Sequence, residues 1–469
     1  MNRLKELLIG ISDPFLRSNQ SNLTQPVKNV RQKVISQKKK SKIAHFLLKG
    51  SQWLRDFNIP MREEYRKLHV KKTQWWSKDE LEDLQQKYLR YLIKHAYQNV
   101  PFYHYFFRKR GLSPDDIKKK EDLVKLPIVN KKMMRDHYKW FSCPPYRLGT
   151  FKSSGSTGIP WRYHWSYLWI RMWENIIWRG WNWAGYKKGK RMASFFAEGL
   201  GRVSSAGLNI GGTITSAKLK TVIRQLKAYQ PQHCYVYPNV AHIIAKYLID
   251  HNDLSIQVES IITTGEQLFD WERKVIEEAF QCKVFNEWGS NDGANTAQEC
   301  SEHIGLHHSA ERNIIEIVDG RIIATDLWNY AFPFIRYENG DAGKWLNECS
   351  CGRGLPLLEV HGRFNDFIIT STDLILPSTI AGPIANLAIS IDSYQIVQKS
   401  LDRIELRVIK DTHFSDIEFQ NALAKMKEIV KEIDIKVKFV NKIPLTSAGK
   451  RKFIINETNI DILDYLSEF

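Results

Sequence analysis

Residues 232–289 read QHCYVYPNVAHIIAKYLIDHNDLSIQVESIITTGEQLFDWERKVIEEAFQCKVFNEWG. Three short β-branched or aromatic runs, QHCYVYPN, SIIT and KVFNEWG, alternate with two stretches of helical period, Ala241 to Ile249 and Trp271 to Phe280. A β-α-β-α-β order predicts strands that run parallel with helices as the crossovers. The same alternation extends over residues 150 to 370, which predicts a large α/β domain with mostly parallel sheets.

Outward from that core, the tail from residue 364 repeats the pattern at smaller scale. ELRVI reads as a strand, and Ser415 caps a helix with Glu418 at its third position. Phe419, Leu423, Met426 and Val430 form the helix stripe, and KVKFV is the next strand. This predicts a small α+β domain of 364–469, joined by a hinge to a large domain of 77–363. On the N-terminal side, Ser77 to Glu80 is a capping box, S-x-x-E, followed by apolar residues at Leu81, Leu84, Tyr88 and Leu92. Pro101 breaks that helix. The stretch 121–141 reads as helical with an interruption at Pro127. Residues 1–76 show no period and are taken as a basic appendage.

At 469 residues the chain has room for two or three domains at about 150 residues each. Hydrophobic residues at 43% and charged residues at 26% exclude a largely disordered chain. No apolar run reaches the roughly 18 residues of a membrane-spanning helix. MNRLKELLIGISDPF does not read as a signal peptide, because Glu6 interrupts a short apolar stretch. A cytoplasmic protein is therefore expected, and six cysteines are too few for a disulfide scaffold.

The net charge of +18 is uneven. Residues 1–50 hold 11 Lys+Arg against Glu6 and Asp13, a net +9, with Lys38, Lys39, Lys40 and Lys42 clustered together. Such a run reads first as a solvated arm. Its functional alternative is attachment to an anionic surface, a membrane or nucleic acid. No nucleic-acid recognition motif accompanies the charge.

Six loops carry chemistry. FKSSGSTGIP, residues 151–160, places Gly155 and Gly158 among Ser153, Ser154, Ser156 and Thr157, a composition able to wrap phosphate oxygens with amide and hydroxyl donors. It is not the G-x-x-x-x-G-K-[ST] loop. The others are ITTGEQL (262–268), FNEWGSNDG (285–293), FIRYENGDAG (334–343), HGRFNDF (361–367) and IPLTSAGKRKF (443–453). No G-x-S-x-G elbow for a serine nucleophile is present.

In order and spacing these six loops resemble the adenylate-forming superfamily of acyl-CoA synthetases and adenylation domains. Within it they are most similar to the phenylacetate–CoA ligase group, including its capsular polysaccharide (CapK-like) branch. The resemblance covers about residues 80–460. It implies ATP-dependent, AMP-forming activation of a carboxylic acid, with ATP and Mg²⁺ as cofactors and CoA as the acyl acceptor. An amine or hydroxyl of a surface polysaccharide precursor is the alternative acceptor. A non-catalytic, zinc-stapled binding protein on a degenerate scaffold is the remaining reading.

By the same resemblance, Ser153, Ser154, Gly155, Ser156, Thr157 and Gly158 are the phosphate loop, with Ile159 where Lys is usual. Gly265 and Glu266 flank one side of adenine. Asn286, Glu287, Trp288, Gly289 and Ser290 form the adenine motif, with Trp288 in place of the usual Tyr. Asp292 replaces the Glu expected on magnesium. Asp341 would accept bonds from the ribose hydroxyls, Arg363 would reach ribose or phosphate, and Asn365-Asp366 would be the hinge. Lys450, in P-x-T-x-x-G-K, would enter the site as the small domain closes and steady the charge shifting between carboxylate and α-phosphate.

One further cluster stands on spacing. Cys300 and His307 are C-x6-H, and after 41 intervening residues Cys349 and Cys351 are C-x-C. Four soft ligands in two pairs suit a closed tetrahedral zinc site, a structural staple. His303 or His308 are substitutes for His307. Cys143, Cys234 and Cys282 read as core cysteines, and the aromatic-rich stretch 161–183 as a buried helix.

Overall fold

A computed structural model of the chain describes residues 61–460, apart from 148, 153–160, 196–206, 211–215, 291, 372–373, 376, 386, 388–390, 412, 445–451 and 459. Helix α1, Lys78–Asn99, begins where the capping box places it. The Ser77 hydroxyl accepts from the Glu80 amide at 3.2 Å, and the Ser77 amide donates to the Glu80 carboxylate at 2.8 Å. Val100 is extended, as a residue before proline must be, and Pro101 then opens helix α2, Pro101–Lys109. Pro101 thus ends one helix and starts the next, because its missing N–H is no loss at a first helical position. The stretch 121–141 is several short pieces: a 3-10 turn at Lys120–Lys125, a two-residue strand at Val129–Asn130, and helices at Lys131–Asp136 and Tyr138–Phe141.

Residues 61–76, assigned on sequence to the basic appendage, belong to the core. Met61 and Val70 are buried in one cluster with Tyr88, Leu92 and Trp328. Their helices, Met61–Lys67 and Val70–Thr73, are too short to display a period. The basic arm, residues 1–50, lies outside the described residues. The aromatic-rich stretch forms helix α3, Tyr167–Trp183, burying Trp169 and Trp181.

The main sheet has twelve strands among the described residues. Strands β1 Met192–Phe195, β2 Leu208–Ile210, β3 His233–Val236, β4 Ser260–Thr264 and β5 Lys283–Ser290 pair parallel in the order β2-β1-β3-β4-β5. Helices α4 Ser216–Tyr229, α5 Pro238–Asp250 and α6 Asp270–Phe280 alternate with them. They bury Leu226, Ile244 and Ile276 against Val236 and Ile261. This is the parallel α/β unit expected from residues 232–289.

The sheet continues as an antiparallel half. Strands β6 Asn295–Glu299, β7 Leu306–His308, β8 Asn313–Val318, β9 Arg321–Asp326, β10 Tyr337–Trp345 and β11 Leu357–Arg363 extend it in the order β5-β6-β7-β11-β10-β9-β8. Most of these strands follow one another through short connections, which suit antiparallel pairing because a parallel pair needs a crossover of a dozen residues or more. The two-residue strand Val129–Asn130 adds to β10 in parallel.

A second sheet holds β12 Ile391–Ser400, β13 Arg403–Lys410, β14 Asp434–Phe439 and β15 Ile454–Asn456, in the order β14-β13-β12-β15. Helix α7, Asp416–Val430, covers it with Phe419, Leu423, Met426 and Val430, the stripe read from sequence, and Ser415 accepts from the Glu418 amide. Where this unit meets the large one, Phe269 lies 5.1 Å from Phe453 and Trp271 lies 6.2 Å from Tyr394, ring to ring. Lys246 of α5 reaches Asp411 at 2.8 Å.

The N-terminal helices are tied to the sheet by a buried ion pair. Arg179 of α3 pairs with Glu311, and both side chains are inaccessible to solvent. The Arg179 guanidinium also donates to the Val70 carbonyl at 3.1 Å and to the Ser309 hydroxyl at 3.2 Å, while the Thr73 hydroxyl donates to Glu311. Removing one partner strands the other charge in a dry interior. Glu311→Ala is expected to lose about 3–5 kcal/mol of stability. Urea unfolding within 1 kcal/mol or so of wild type would contradict that role.

Candidate active site

The carboxylate of Asp341 gathers the polar groups at the edge of the parallel half. β10 and β11 are in register with Asp341 opposite Arg363. The Arg363 guanidinium approaches one Asp341 oxygen at 3.1 Å. The other oxygen accepts from the Trp288 indole N–H at 3.0 Å and from the Asn339 amide at 2.8 Å. Arg363 also donates to the Asn339 carbonyl at 2.6 Å. The Asp341 charge, ahead of any other cause, raises the Arg363 pKa further. Three strands, β5, β10 and β11, are thereby joined through one acid. Gly362 beside it has φ +94°, and a Cβ there would sit 2.8 Å from the Gln267 side-chain oxygen, so this close approach requires glycine.

Asp292 lies next to this group. Its carboxylate accepts from the Tyr337 hydroxyl at 3.0 Å and the Ser290 hydroxyl at 2.7 Å. Lys131 is held below the usual lysine range by burial, with Asp292 the next influence and opposing it. Asp366 starts the connection toward the small sheet; burial pushes its carboxyl up to about 6, with Lys452 4.0 Å away pulling the other way.

Side chains alternate along β5, so its residues divide between two faces. Asn286, Trp288 and Ser290 share the side of Asp341. Glu287 is turned to the other side, buried, and accepts from Tyr235 at 2.6 Å and Gln298 at 3.0 Å. Burial raises its pKa. Glu287 is therefore not brought to the Asp341 group with its motif neighbours. Gly289 and Gly265 are exposed, Gly265 at φ +79° just after β4, and Glu266 accepts from the Asn239 amide at 3.3 Å. Ser153, Ser154, Gly155, Ser156, Thr157, Gly158 and Lys450 lie outside the described residues. The hairpin that presents the first loop is described: Gly149–Lys152 pairs antiparallel with Arg162–Trp165.

Sequence reading did not single out Tyr337, Asn339, Gln267 or Lys131. The first two lie inside FIRYENGDAG and Gln267 inside ITTGEQL, so the motifs already pointed at them. Lys131 has no local signal.

Away from this edge, Cys300, His307, Cys349 and Cys351 converge. Their four candidate ligand atoms all lie within 4.8 Å of one another. Cys300 Sγ is 3.7 Å from Cys349 Sγ, and Cys351 Sγ is 3.3 Å from His307 Nε2. His307 Nδ1 faces the Leu355 carbonyl at 3.1 Å, which makes Nδ1 the donor and leaves Nε2 free to ligate. His308 is not in the cluster; its Nε2 faces the Asn313 carbonyl at 3.0 Å. His303 is directed to Glu299 at 3.1 Å.

Known proteins resemble this chain over part or most of its length. Residues 367–457 match the family model of the CapK C-terminal domain. The phenylacetate-coenzyme A ligase of Pseudomonas putida is 26% identical over 412 residues, 80% of this chain and 92% of that protein. Protein CapK of Staphylococcus aureus is 31% identical over 259 residues, 51% of this chain and 56% of CapK. Among solved structures, 2-hydroxyisobutyryl-CoA ligase in its post-adenylation state superposes with a TM-score of 0.71 at 18% identity, covering 85% of this chain and 94% of that one. The same ligase in its thioesterification state superposes with a TM-score of 0.56 at 19% identity, covering 85% of this chain and 94% of that one. The fold is that of the adenylate-forming ligases. Within that fold, the chain is similar over most of its length to phenylacetate-coenzyme A ligases, and over about half of it to CapK.

Asp341→Ala removes the shared acceptor of Trp288, Asn339 and Arg363. With hydrogen bonds to charged groups contributing about 1.5–3 kcal/mol each, and repacking recovering part, a loss of about 2–3 kcal/mol in urea unfolding is expected. A melting curve superimposable on wild type would show that the three strands are held without it.

Proposed function

We propose that this chain activates a carboxylic acid with ATP and passes the acyl group to CoA. The observation that carries the reading is the Asp341 group: the Trp288 indole edge and the Arg363 guanidinium both meet one carboxylate, at 3.0 Å and 3.1 Å. An indole bonded through its edge leaves its flat face for a nucleobase, and the neighbouring carboxylate is then placed for the ribose hydroxyls. The whole lies at the end of a parallel strand, where α/β sheets bind nucleotides.

In the first step, a carboxylate oxygen of the acid attacks the α-phosphorus of ATP. The bond from that phosphorus to the bridging oxygen breaks, and pyrophosphate leaves. In the second, the CoA sulfur attacks the acyl carbon, AMP departs with the oxygen, and the thiol proton goes to solvent. Neither step needs a protein nucleophile; positioning and charge stabilisation supply the catalysis. Residues 153–158 cradle the phosphates, Asn286 and Trp288 hold the base, and Gly265 and Glu266 border it. Lys450 stabilises the charge as it moves from carboxylate to phosphate. Asp292 is the residue that would hold Mg²⁺, which neutralises phosphate charge when bound. Residues 77–363 and 364–469 form the two moving units, with the hinge at Asn365-Asp366.

Exchange of labelled pyrophosphate into ATP, dependent on added acid, tests the first step, and mass spectrometry of acid, MgATP and CoA together tests the second. The expected result is AMP and an acyl-CoA, with Lys450→Ala reducing exchange by about 100-fold or more while the protein stays folded. Exchange unchanged in Lys450→Ala removes that residue's role, and no exchange with any of a panel of acids removes the reading. A second acceptor, an amine or hydroxyl of a surface polysaccharide precursor, is favoured by the CapK C-terminal match over residues 367–457. Adenylate accumulating without thioester selects it.

We also assign Cys300, His307, Cys349 and Cys351 a structural zinc. At Zn–S about 2.3 Å and Zn–N about 2.0 Å a tetrahedron sets sulfurs about 3.8 Å apart and sulfur and nitrogen about 3.5 Å apart, close to the 3.7 Å and 3.3 Å separations. Elemental analysis should find about one zinc per chain. Cys351→Ser or chelation should lower the melting temperature more than it lowers turnover per folded molecule. Protein free of zinc with an unaltered melting curve counts against the site.

A further inference from the structure

Helix α2 turns Tyr103 and Phe107 into the core and leaves its other face in water. Phe102 stacks on Phe141 at 4.3 Å, which locks α2 to the short helix Tyr138–Phe141. At the outer rim of that junction two large rings stay exposed, Tyr105 at 50% and Trp140 at 48%. They touch edge to face, with centroids 5.8 Å apart and planes at 73°. Scattered exposed apolar side chains are ordinary. Two aromatic rings in mutual contact on the outside, neither covered, are less so.

Basic residues predominate around them. Residues 84–114 contain six Lys+Arg and no acid. Arg108 and Lys109 follow Tyr105 at the third and fourth positions, on its own helix face. The Lys109 ammonium is 5.7 Å from the Tyr105 ring centre. Lys139 is exposed beside Trp140. None of Arg108, Lys109, Arg110 and Lys139 forms an ion pair among the described residues. Asp136, the acid nearest to Lys139 in the sequence, is engaged by Lys132 and Arg135 at 3.2 and 3.1 Å, and Asp116, beyond Arg110, accepts from the Ser113 amide and hydroxyl at 2.7 and 2.8 Å. The cations are therefore available to an external anion.

We propose that Tyr105, Trp140 and the cations Arg108, Lys109 and Lys139 form a docking surface for an anionic lipid bilayer. Tyr and Trp partition to the headgroup layer, where an apolar ring and a polar tip are both accommodated. Each basic residue beside an anionic leaflet adds attraction that decays within a Debye length. The wedge shape of the ring pair favours insertion between headgroups over stacking on nucleic-acid bases, which asks for parallel accessible faces. The +9 arm of residues 1–50 carries charge of the same sign and adds to the attraction, but has neither Tyr nor Trp. This surface involves none of the side chains of the Asp341 group, so it stands apart from the ligase reading.

The test is co-sedimentation of the full chain with vesicles of phosphatidylcholine, alone or with a third phosphatidylglycerol, at about 0.1 M salt, where screening acts over about 10 Å. Three proteins are compared: wild type, Tyr105→Ser/Trp140→Ser, and Arg108→Glu/Lys109→Glu/Lys139→Glu. All keep residues 1–50, so the arm contributes equally to each. Wild type should prefer the anionic vesicles and lose binding as salt rises. Each variant should bind them about tenfold or more weakly, with an unchanged melting temperature because every altered side chain is exposed. The two variants alter different chemistry, so a folding failure in one leaves the other to decide. Wild type that ignores anionic vesicles, or variants within about twofold of wild type, overturns the proposal. So does a wild type that binds a single-stranded oligonucleotide and not the vesicles.

Discussion

A charged acceptor near the surface of a sheet must be fully partnered, and Asp341 meets that requirement by drawing on three strands. Trp288 comes from β5, Asn339 from its own strand β10, and Arg363 from β11. These strands are separated in sequence, and β5 and β11 are not sheet neighbours; β6 and β7 lie between them. The carboxylate therefore closes the curl of the antiparallel half back over the edge of the parallel half. Its position is what places an indole, a guanidinium and a second acid, Asp292, within one small volume. Replacing any one partner leaves a charge without its complement, so the group is set as a unit.

Two further constraints hold the scaffold around that edge. The Arg179–Glu311 pair ties α3 and the helices of residues 61–76 to the segment leading into β8. The Cys/His cluster brings the Cys300 turn, β7 and the loop before β11 together. The ion pair joins segments that no strand pairing connects, whereas the Cys/His cluster adds to the β6–β7 and β7–β11 pairings already present. By contrast, the small sheet meets the large unit through Phe269 and Trp271 packed against Phe453 and Tyr394, and through Lys246 paired with Asp411 and Asp392. Contacts of that size are of the kind that separate and re-form between domains.

Much of this was legible in the chain itself. The capping box at Ser77–Glu80 and the stripe Phe419, Leu423, Met426 and Val430 depend only on neighbours a few residues apart, so local pattern sufficed. The parallel unit of residues 232–289 was legible because each strand and helix completes its own period. The antiparallel half was not, since strands such as β7, three residues long, are defined by partners and have no signature of their own. Residues 61–76 escaped for the same reason: their helices are short, and only burial against Trp328 and Glu311 gives them a place. Of the motif residues, Glu287 was assigned with its neighbours, although strand alternation turns it toward Tyr235 and Gln298.

The sequence alone determined the kinds of chemistry available and their order: glycine-rich and hydroxyl-rich loops, an acid in NGDAG, an arginine in HGRFNDF, soft ligands in two pairs. It determined the parallel unit because helical and strand periods are written in residues close together. Only the tertiary structure decided which side chains meet. That the Trp288 indole shares an acceptor with Arg363, that Tyr337 and Ser290 bracket Asp292, and that His307 rather than His303 or His308 faces Cys351 are outcomes of register and sheet curvature. Those depend on contacts between residues tens of positions apart, and no local period encodes them.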